Sequence, residues 1–299
     1  MTSDRSEKFL LHIEDLYKSY DDKLILDNID MSVSAGELCT VVGPSGCGKS
    51  TLLRIILGQE TQDRGSIHID GSLAGFPDTR RGIVYQRYSL FQNMTVLENV
   101  MLGFNLQNSW QQRRRERQSF SAKAMDYLAR VRLDQHAHKY PSELSGGMQQ
   151  RVAIAQALIM KPKILLMDEP FGALDPQTRE DMQLFLLELW EQEKMTIFFV
   201  THDLEEALYL GTRLFVISRY YKDDRNNDEK NRGARIVADY HLPKSAKSQE
   251  SKHQADFVAT LEHMRAAGFD PDILQHARDF NLKHPDSFQT LTSDEDNHS

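Results

Sequence analysis

The 299-residue sequence has little cysteine, no long hydrophobic run and no excess of positive charge. Its two cysteines, Cys39 and Cys47, imply no disulfide framework, which fits a reducing compartment. No segment approaches the ~18–20 apolar residues that span a bilayer, and the first residues lack the apolar stretch of a secretory signal. The formal net charge of -8 argues against a dedicated nucleic-acid-binding protein. We therefore expect a cytosolic chain that meets a membrane only through a partner.

The composition and the order of apolar segments predict an α/β protein. Hydrophobic residues make up 40% and charged residues 27% of the chain, which is enough to bury a sizeable core. Short apolar runs at 38–42, 163–167 and 196–200 are typical of buried parallel strands. They alternate with helical patterns at 50–57, 181–194 and 203–210, and a longer helical region covers about 94–157. This alternation predicts a largely parallel sheet.

A glycine-rich loop follows the first of these strands and precedes an apolar helix. It matches the pattern G-x-x-x-x-G-K-[ST], in which backbone N–H groups surround phosphates and the lysine and hydroxyl contact the phosphates and Mg²⁺. The helix start directs its positive end at the anion. The predicted ATP contacts are Gly43, Pro44, Ser45, Gly46, Cys47, Gly48, Lys49 and Ser50, together with the next residue, Thr51.

Two carboxylates come at the end of the second buried strand. Asp168 and Glu169 follow the run Ile164–Met167, and ligands bind at the carboxyl ends of strands in open α/β sheets. Asp168 is suited to hold the Mg²⁺ shell, and Glu169 is suited to polarise an attacking water as a general base. An acidic strand-to-loop junction without catalytic function is the plainer alternative.

A second capped helix start occurs in the run LSGGMQQR, residues 144–151. Ser145 is a candidate N-cap, and Gly146 and Gly147 leave N–H groups accessible at the start of the helix. From these residues alone, an ordinary capped helix remains an alternative to an anion-binding site.

The run LSGGMQQR closely resembles the signature sequence of ABC (ATP-binding cassette) ATPases, and the resemblance covers about residues 9–218. Other positions resemble further motifs of that family: Tyr20 the aromatic that stacks on adenine, Gln86 the Q-loop glutamine, Asp175 the D-loop aspartate and His202 the switch histidine. The resemblance implies a P-loop NTPase core with a parallel sheet, an N-terminal antiparallel β subdomain and an inserted α-helical subdomain.

The same resemblance implies how the protein would work. Two ATPase subunits, as a homodimer or a paired ABC subunit, would hold ATP between the phosphate loop of one and Ser145–Gly147 of the other. ATP and Mg²⁺ would be the cofactors, with Ser50, Gln86 and Asp168 as metal ligands and Glu169, His202 and Gln86 as catalytic residues. The partners would be transmembrane permease subunits and, indirectly, a solute-binding protein, but no nucleic acid. The chain would sit peripherally at the cytoplasmic face of the membrane.

Two runs resemble the nitrate/sulfonate/taurine group of importers: Pro170–Pro176 and Thr201–Leu210. The stretch 87–94 lacks the Pro-Trp that this group often carries, and the charged insertion at 219–235 and the tail are unusual for it. An exporter ATPase and a soluble ABC protein that does not serve transport are the alternatives. We expect an ATPase domain at 9–235 and a helical extension at 236–299, with helices near 252–267 and 271–280 and a disordered end.

Overall fold

The computed structural model describes residues 8–86, 90–225, 232–242 and 255–290, which form two compact units. One unit combines the chain up to Pro77 with the chain from Met195 onward, and the other covers Asp78–Lys194. In chain order the elements are β1 (Leu11–Tyr20), β2 (Lys23–Val33), β3 (Leu38–Val42), α1 (Lys49–Leu57), β4 (Arg64–Ile69), β5 (Ser72–Leu73), β6 (Arg81–Tyr85), α2 (Val96–Val100), α3 (Leu102–Gln107), α4 (Trp110–Arg130), α5 (Gly146–Leu158), β7 (Ile164–Asp168), α6 (Pro176–Glu193), β8 (Thr196–Val200), α7 (Leu204–Leu210), β9 (Arg213–Ser218), β10 (Tyr221–Lys222), β11 (Arg235–His241), α8 (Ala255–Gly268), β12 (Gln275–His276) and β13 (Asn281–Leu282).

The first unit contains the predicted antiparallel sheet at the N-terminus. Its strand order is β2-β1-β4-β5, and Leu11 of β1 lies opposite Val33 of β2 and Ile69 of β4. All three of these side chains are buried, so the apolar positions of the three strands share one face. The predicted N-terminal antiparallel β subdomain is therefore confirmed.

A second set of strands in this unit carries the parallel core. β3 runs parallel to both β8 and β9, and every residue of β3 is buried, as expected for the middle strand of a parallel sheet. β11 pairs antiparallel with β9 on the other side and pairs in parallel with the short β13. The parallel arrangement places the carboxyl ends of β3 and β8 at the same edge.

The second unit pairs β6 with β7 in parallel and carries five of the helices. Tyr85 at the end of β6 lies opposite Asp168 at the end of β7. The region expected to be helical, about 94–157, contains α2 to α5. Within the parts of the chain that the structure describes, no helix is both long enough and apolar enough to cross a bilayer.

The chain after β9 differs from the sequence-based expectation. The strand near 213–217 is not the last, because β11 follows it and extends the sheet. The prediction of a second tail helix near 271–280 is wrong, because β12 pairs there with β10 and a 3₁₀ turn follows at Ala277–Asp279. Pairing with a distant strand has overridden the local helical pattern. α8 begins at Ala255, and positions 226–231, 252–254 and 291–299, the last being the expected disordered end, lie outside the described residues.

Candidate functional site

The phosphate loop of the first unit joins β3 to α1 in a conformation that requires glycine. Gly46 and Gly48 have φ values of 77° and 97°, in the left-handed region that other residues disfavour. A Cβ at Gly43 would lie 2.0 Å from the carbonyl oxygen of Ile217, and one at Gly48 would lie 2.8 Å from a methyl group of Leu26. Any side chain at these positions would therefore displace the loop from β9 or β2.

Lys49 lies inside the curve of this loop. Its side chain is 7% exposed, and its Nζ donates to the carbonyl oxygens of Gly43 at 2.7 Å and Pro44 at 3.0 Å. Burial raises the pKa of the neighbouring Cys47 thiol, although the Lys49 charge opposes this shift, so the thiol stays protonated at neutral pH. The loop thus encloses one ammonium group and no acidic side chain of its own, which fits a phosphate chain.

The hydroxyl-bearing residues around Lys49 differ in exposure. Ser45 is exposed and Ser50 is half-buried, so both remain accessible from the loop. Thr51 is buried, and its hydroxyl accepts a hydrogen bond from Arg54 at 3.2 Å. Of the residues expected to contact ATP, Thr51 therefore also has a structural role in tying down the first turn of α1.

Tyr20, the expected adenine-stacking residue, stands at the end of β1 with 40% of its surface exposed. Its hydroxyl donates to the Glu60 carboxylate, which also accepts from Arg54. Partial burial acts to raise the pKa of Glu60, but these hydrogen bonds outweigh it and lower the pKa below its usual value. The Lys18 ammonium lies 5.4 Å from the centre of the ring. The ring is thus held by an ionised carboxylate and keeps an accessible part.

His202 follows β8 in the same unit and is exposed just before α7. Asp203 caps that helix, and its Oδ1 accepts from the backbone N–H groups of Glu205 at 3.0 Å and Glu206 at 3.1 Å. The spacing of Asp203 and Glu206 is that of a capping box. The Asp203 N–H donates to the Thr201 hydroxyl, which donates to the buried Glu206 carboxylate at 2.6 Å. Sequence reasoning did not find the hydrogen bond between Thr201 and Glu206, which lie on either side of His202 in the chain.

Three predicted residues of the second unit lie together at the ends of paired strands. Asp168 ends β7 opposite Tyr85, and Gln86 follows directly after Tyr85. Glu169 has a φ of 46°, a left-handed conformation that is uncommon for a side chain other than glycine. A Cβ at Gly172 would lie 3.0 Å from the Gln86 amide nitrogen. The turn after β7 therefore brings the glutamine and the two carboxylates into one locality.

The signature run forms the start of α5 as expected. Ser145 is exposed at the N-cap, and its hydroxyl accepts from the Met148 N–H at 3.4 Å. Asp175 caps α6 and accepts from the Thr178 N–H at 3.0 Å, and this hydrogen bonding lowers the pKa of Asp175. Because a Cβ at Gly147 would lie 2.5 Å from the Thr178 methyl group, the signature helix and the D-loop helix meet at that glycine.

The comparisons agree with these motifs. The family model described as ABC transporter matches residues 26–172. The nitrate import ATP-binding protein NrtD of Synechocystis sp. is 46% identical over 212 residues, which are 70% of this chain and 77% of that protein. The aliphatic sulfonates import ATP-binding protein SsuB of Bacillus cereus is 45% identical over 194 residues, 65% of this chain and 74% of that protein.

A solved structure shares the fold. It is the dimeric structure of a post-hydrolysis state of the ATP-binding cassette MJ0796, bound to ADP and Pi, and it matches with a TM-score of 0.61 and 29% identity. The match covers 79% of this chain and 100% of that one. The predicted fold class is confirmed, and the chain belongs to the ABC transporter family, as an ATP-binding subunit of the kind that hydrolyses ATP.

Proposed function

We propose that this chain supplies the ATP hydrolysis for an importer of a small anionic solute. The observation that carries the proposal is the phosphate loop folded around Lys49, in a chain that shares 45–46% identity with proteins named for sulfonate and nitrate import. Sulfonate and nitrate are both small oxyanions, which gives the solute class. The solute itself would be selected by the permease and by a solute-binding protein.

The proposed roles follow from the chemistry of each residue. Lys49 and the loop amides bind the phosphates, and the exposed part of the Tyr20 ring stacks on adenine. Oxygen ligands of the kind that Mg²⁺ prefers are present in Ser50, Gln86 and Asp168. The metal would neutralise charge on the phosphates, while Glu169 accepts a proton from the attacking water and His202 contacts the γ-phosphate.

We further propose that two such subunits, identical or paired with a relative, close over ATP. The exposed Ser145 and the glycines of α5 offer N–H groups at a helix start to the nucleotide of the neighbouring copy. ATP binds both copies through its γ-phosphate, whereas ADP cannot bridge them. Binding therefore favours the closed pair, and hydrolysis lets the pair open, because only differential affinity can shift such an equilibrium.

A groove in the second unit is our candidate surface for the permease. Its volume is about 600 Å³, and Leu106 and Trp110 at its edge are 73% and 70% exposed. Arg113, Arg114 and Arg117 of α4 line the same groove. Exposed apolar side chains beside a basic rim are typical of an interaction surface. Docking there would hold the subunit at the cytoplasmic face of the membrane.

The test is to recover the membrane partner. The full chain, tagged and expressed in its own cells, is purified from detergent-solubilised membranes, and we expect a multi-span permease to co-purify. The Leu106→Glu/Trp110→Glu variant should lose that partner and still hydrolyse ATP, while Leu184→Glu on α6, an exposed leucine outside the groove, should retain it. Co-purification with ribosomes alone, or with an exporter-type membrane protein, would contradict the importer proposal.

A further inference from the structure

A cavity of about 400 Å³ borders the phosphate loop, within the first unit. One wall is Gly46 and Cys47 of the loop itself. The opposite wall comes from the two parts of the chain that depart from the importer pattern, with Arg219 at the start of the insertion and Leu274 from the C-terminal extension. Lys23, at the start of β2, completes the cavity. The unusual segments are therefore placed beside the predicted nucleotide contacts.

Hydrogen bonds to the buried Asp27 carboxylate hold the cavity wall that the insertion forms. Tyr221 is completely buried, and its hydroxyl donates to Asp27 at 2.8 Å. The Arg225 guanidinium binds the same carboxylate through two hydrogen bonds, at 3.0 and 2.6 Å. β10 and β12 pair in parallel, so the insertion and the extension hold each other. A wall that is already ordered costs little further entropy when a ligand binds.

The positive charges around this cavity fall into two groups. Arg225, Arg232 and Arg235 form ion pairs with Asp27 or Asp223. Among the residues that the structure describes, Lys23 and Arg219 have no carboxylate partner, and both are exposed. The guanidinium of Arg219 is nevertheless close enough to the loop for its charge to act on Cys47, whose thiol pKa it lowers against the effect of burial.

The loop is open on this side. A Cβ added at Gly46 would meet no atom within 4 Å, although Gly43 and Gly48 are tightly packed. The cavity thus combines an accessible stretch of loop backbone with two cations that have no carboxylate partner in the described parts of the chain. An anion is the ligand that such a site would bind.

We propose that Lys23 and Arg219 form an additional phosphate subsite that binds the phosphate chain of the nucleotide beside the loop. This inference rests on the proposed ATPase function and extends the nucleotide site to residues outside its family motifs. A separate phosphate-bearing anion would show the same chemistry, so the experiment must distinguish the two sources.

The experiment measures nucleotide affinity of the full chain by titration calorimetry, with ATP, ADP and AMP and at two salt concentrations. Arg219→Gln should weaken ATP binding about fivefold, and Lys23→Gln/Arg219→Gln about 20-fold, because each exposed charge contact is modest and the two effects should nearly add. The loss should shrink from ATP to ADP to AMP, as phosphates are removed, and should fade at high salt. In turnover assays KM should rise while kcat stays within about twofold, the pattern of lost ground-state binding.

Two further variants separate this role from folding and from simple charge removal. Arg219→Lys keeps the charge and should restore most of the affinity. Arg115→Gln removes an exposed arginine from α4, outside the phosphate loop and outside this cavity, and should leave affinity unchanged. Equal ATP affinity in the wild type and the double variant would overturn the subsite. Binding of a separate anion would overturn it as well. In that case, inorganic pyrophosphate would bind the Lys49→Ala variant through Lys23 and Arg219, but removing both side chains would not change the ATP affinity of the chain.

The same titrations distinguish a failure of the proposed subsite from a failure of the proposed ATPase function. Lys49→Ala should abolish ATP binding if the phosphate loop acts as proposed. Failure of the wild type to bind ATP would refute the ATPase proposal. A wild type that binds ATP through Lys49, with no contribution from Lys23 or Arg219, would refute the subsite alone.

Discussion

Glu169, the proposed general base, has a backbone conformation that most residues avoid. It follows the last residue of β7 at a φ of 46°, and its carbonyl oxygen accepts from the Gly172 N–H at 3.2 Å. A non-glycine residue in this region costs of order 1 kcal/mol, and such costs are concentrated at functional sites.

We predict that Glu169→Gln keeps ATP affinity but lowers turnover at least ~100-fold, because an amide has the size of the carboxylate and cannot accept the proton from water. ATP should then hold the variant as a closed dimer. Phosphate release measures turnover, and gel filtration with ATP measures dimerisation. Glu191→Gln, an exposed residue of α6, is the matched control and should hydrolyse ATP normally. Normal turnover in Glu169→Gln would remove the general-base assignment.

The positions of residues that belong to a sequence motif could be predicted from the sequence. The contacts of residues that depend on tertiary packing could not. The phosphate loop, Ser145 and Asp175 have a defined local geometry that follows from their neighbours in the chain, so their placement as loop and helix caps was predictable. The hydrogen bond between Thr201 and Glu206 was missed because it depends on Glu206 being buried, which depends on how α7 packs on β3. A single sequence gives no measure of that packing.

At the scale of elements, α8 is pressed against the strand that supports the phosphate loop. A Cβ at Gly268 would lie 2.3 Å from a methyl group of Val216 in β9, and the next residue of β9, Ile217, closely approaches Gly43 of the loop. Leu261 and Met264 of α8 share a hydrophobic cluster with Leu208 of α7. The C-terminal extension is therefore packed against β9, which contacts the phosphate loop, and against α7, which follows His202.

We predict that Gly268→Ala destabilises the protein by about 1–3 kcal/mol, because the added methyl group must displace α8 or distort β9. Urea unfolding with a constant m-value measures the change. Gly75→Ala is the matched control, since a Cβ there would meet nothing within 4 Å, and its free energy of unfolding should change by less than about 0.5 kcal/mol. Equal stability of the two variants would contradict the packing argument.

The start of α6 and the strands after β9 were not predicted, for different reasons. α6 was expected to start at 181 and starts at Pro176, although Asp175 as N-cap and proline in the first turn are local signals of that start. β11 is marked by Gly233 before it and Pro243 after it, but its pairing with the edge of β9 cannot be derived from the local sequence. β12 and β13 are two residues each and form only where β10 and β11 are already in place.

For the molecule as a whole, the tail is part of the first unit and not an appendage to it. Arg213 of β9 is 1% exposed, and its guanidinium binds the buried Asp239 carboxylate of β11 at 2.9 and 2.6 Å. Further along, the backbone N–H of His284 donates to the Asp239 carbonyl oxygen, and Thr290 donates to Asp30 of β2. The extension thus bonds to both the central strands and the N-terminal sheet of its unit.

We predict that deleting 236–299 abolishes cooperative folding, because it removes all of β11 except Arg235. It also removes the Asp239 carboxylate, which leaves the buried Arg213 guanidinium with the 3.4 Å contact to Glu37 as its remaining ion pair among the described residues. The milder variant Asp239→Asn should still fold but lose about 3–5 kcal/mol, the usual cost of removing one partner of a buried pair. Thermal unfolding followed by circular dichroism measures both, and ATP binding reports whether the phosphate loop survives. A truncated chain that unfolds cooperatively and binds ATP with wild-type affinity would show that the extension is dispensable. Any control that the tail exerts on hydrolysis must therefore be tested by substitutions such as Gly268→Ala in the full-length chain, where the fold that the tail completes is retained.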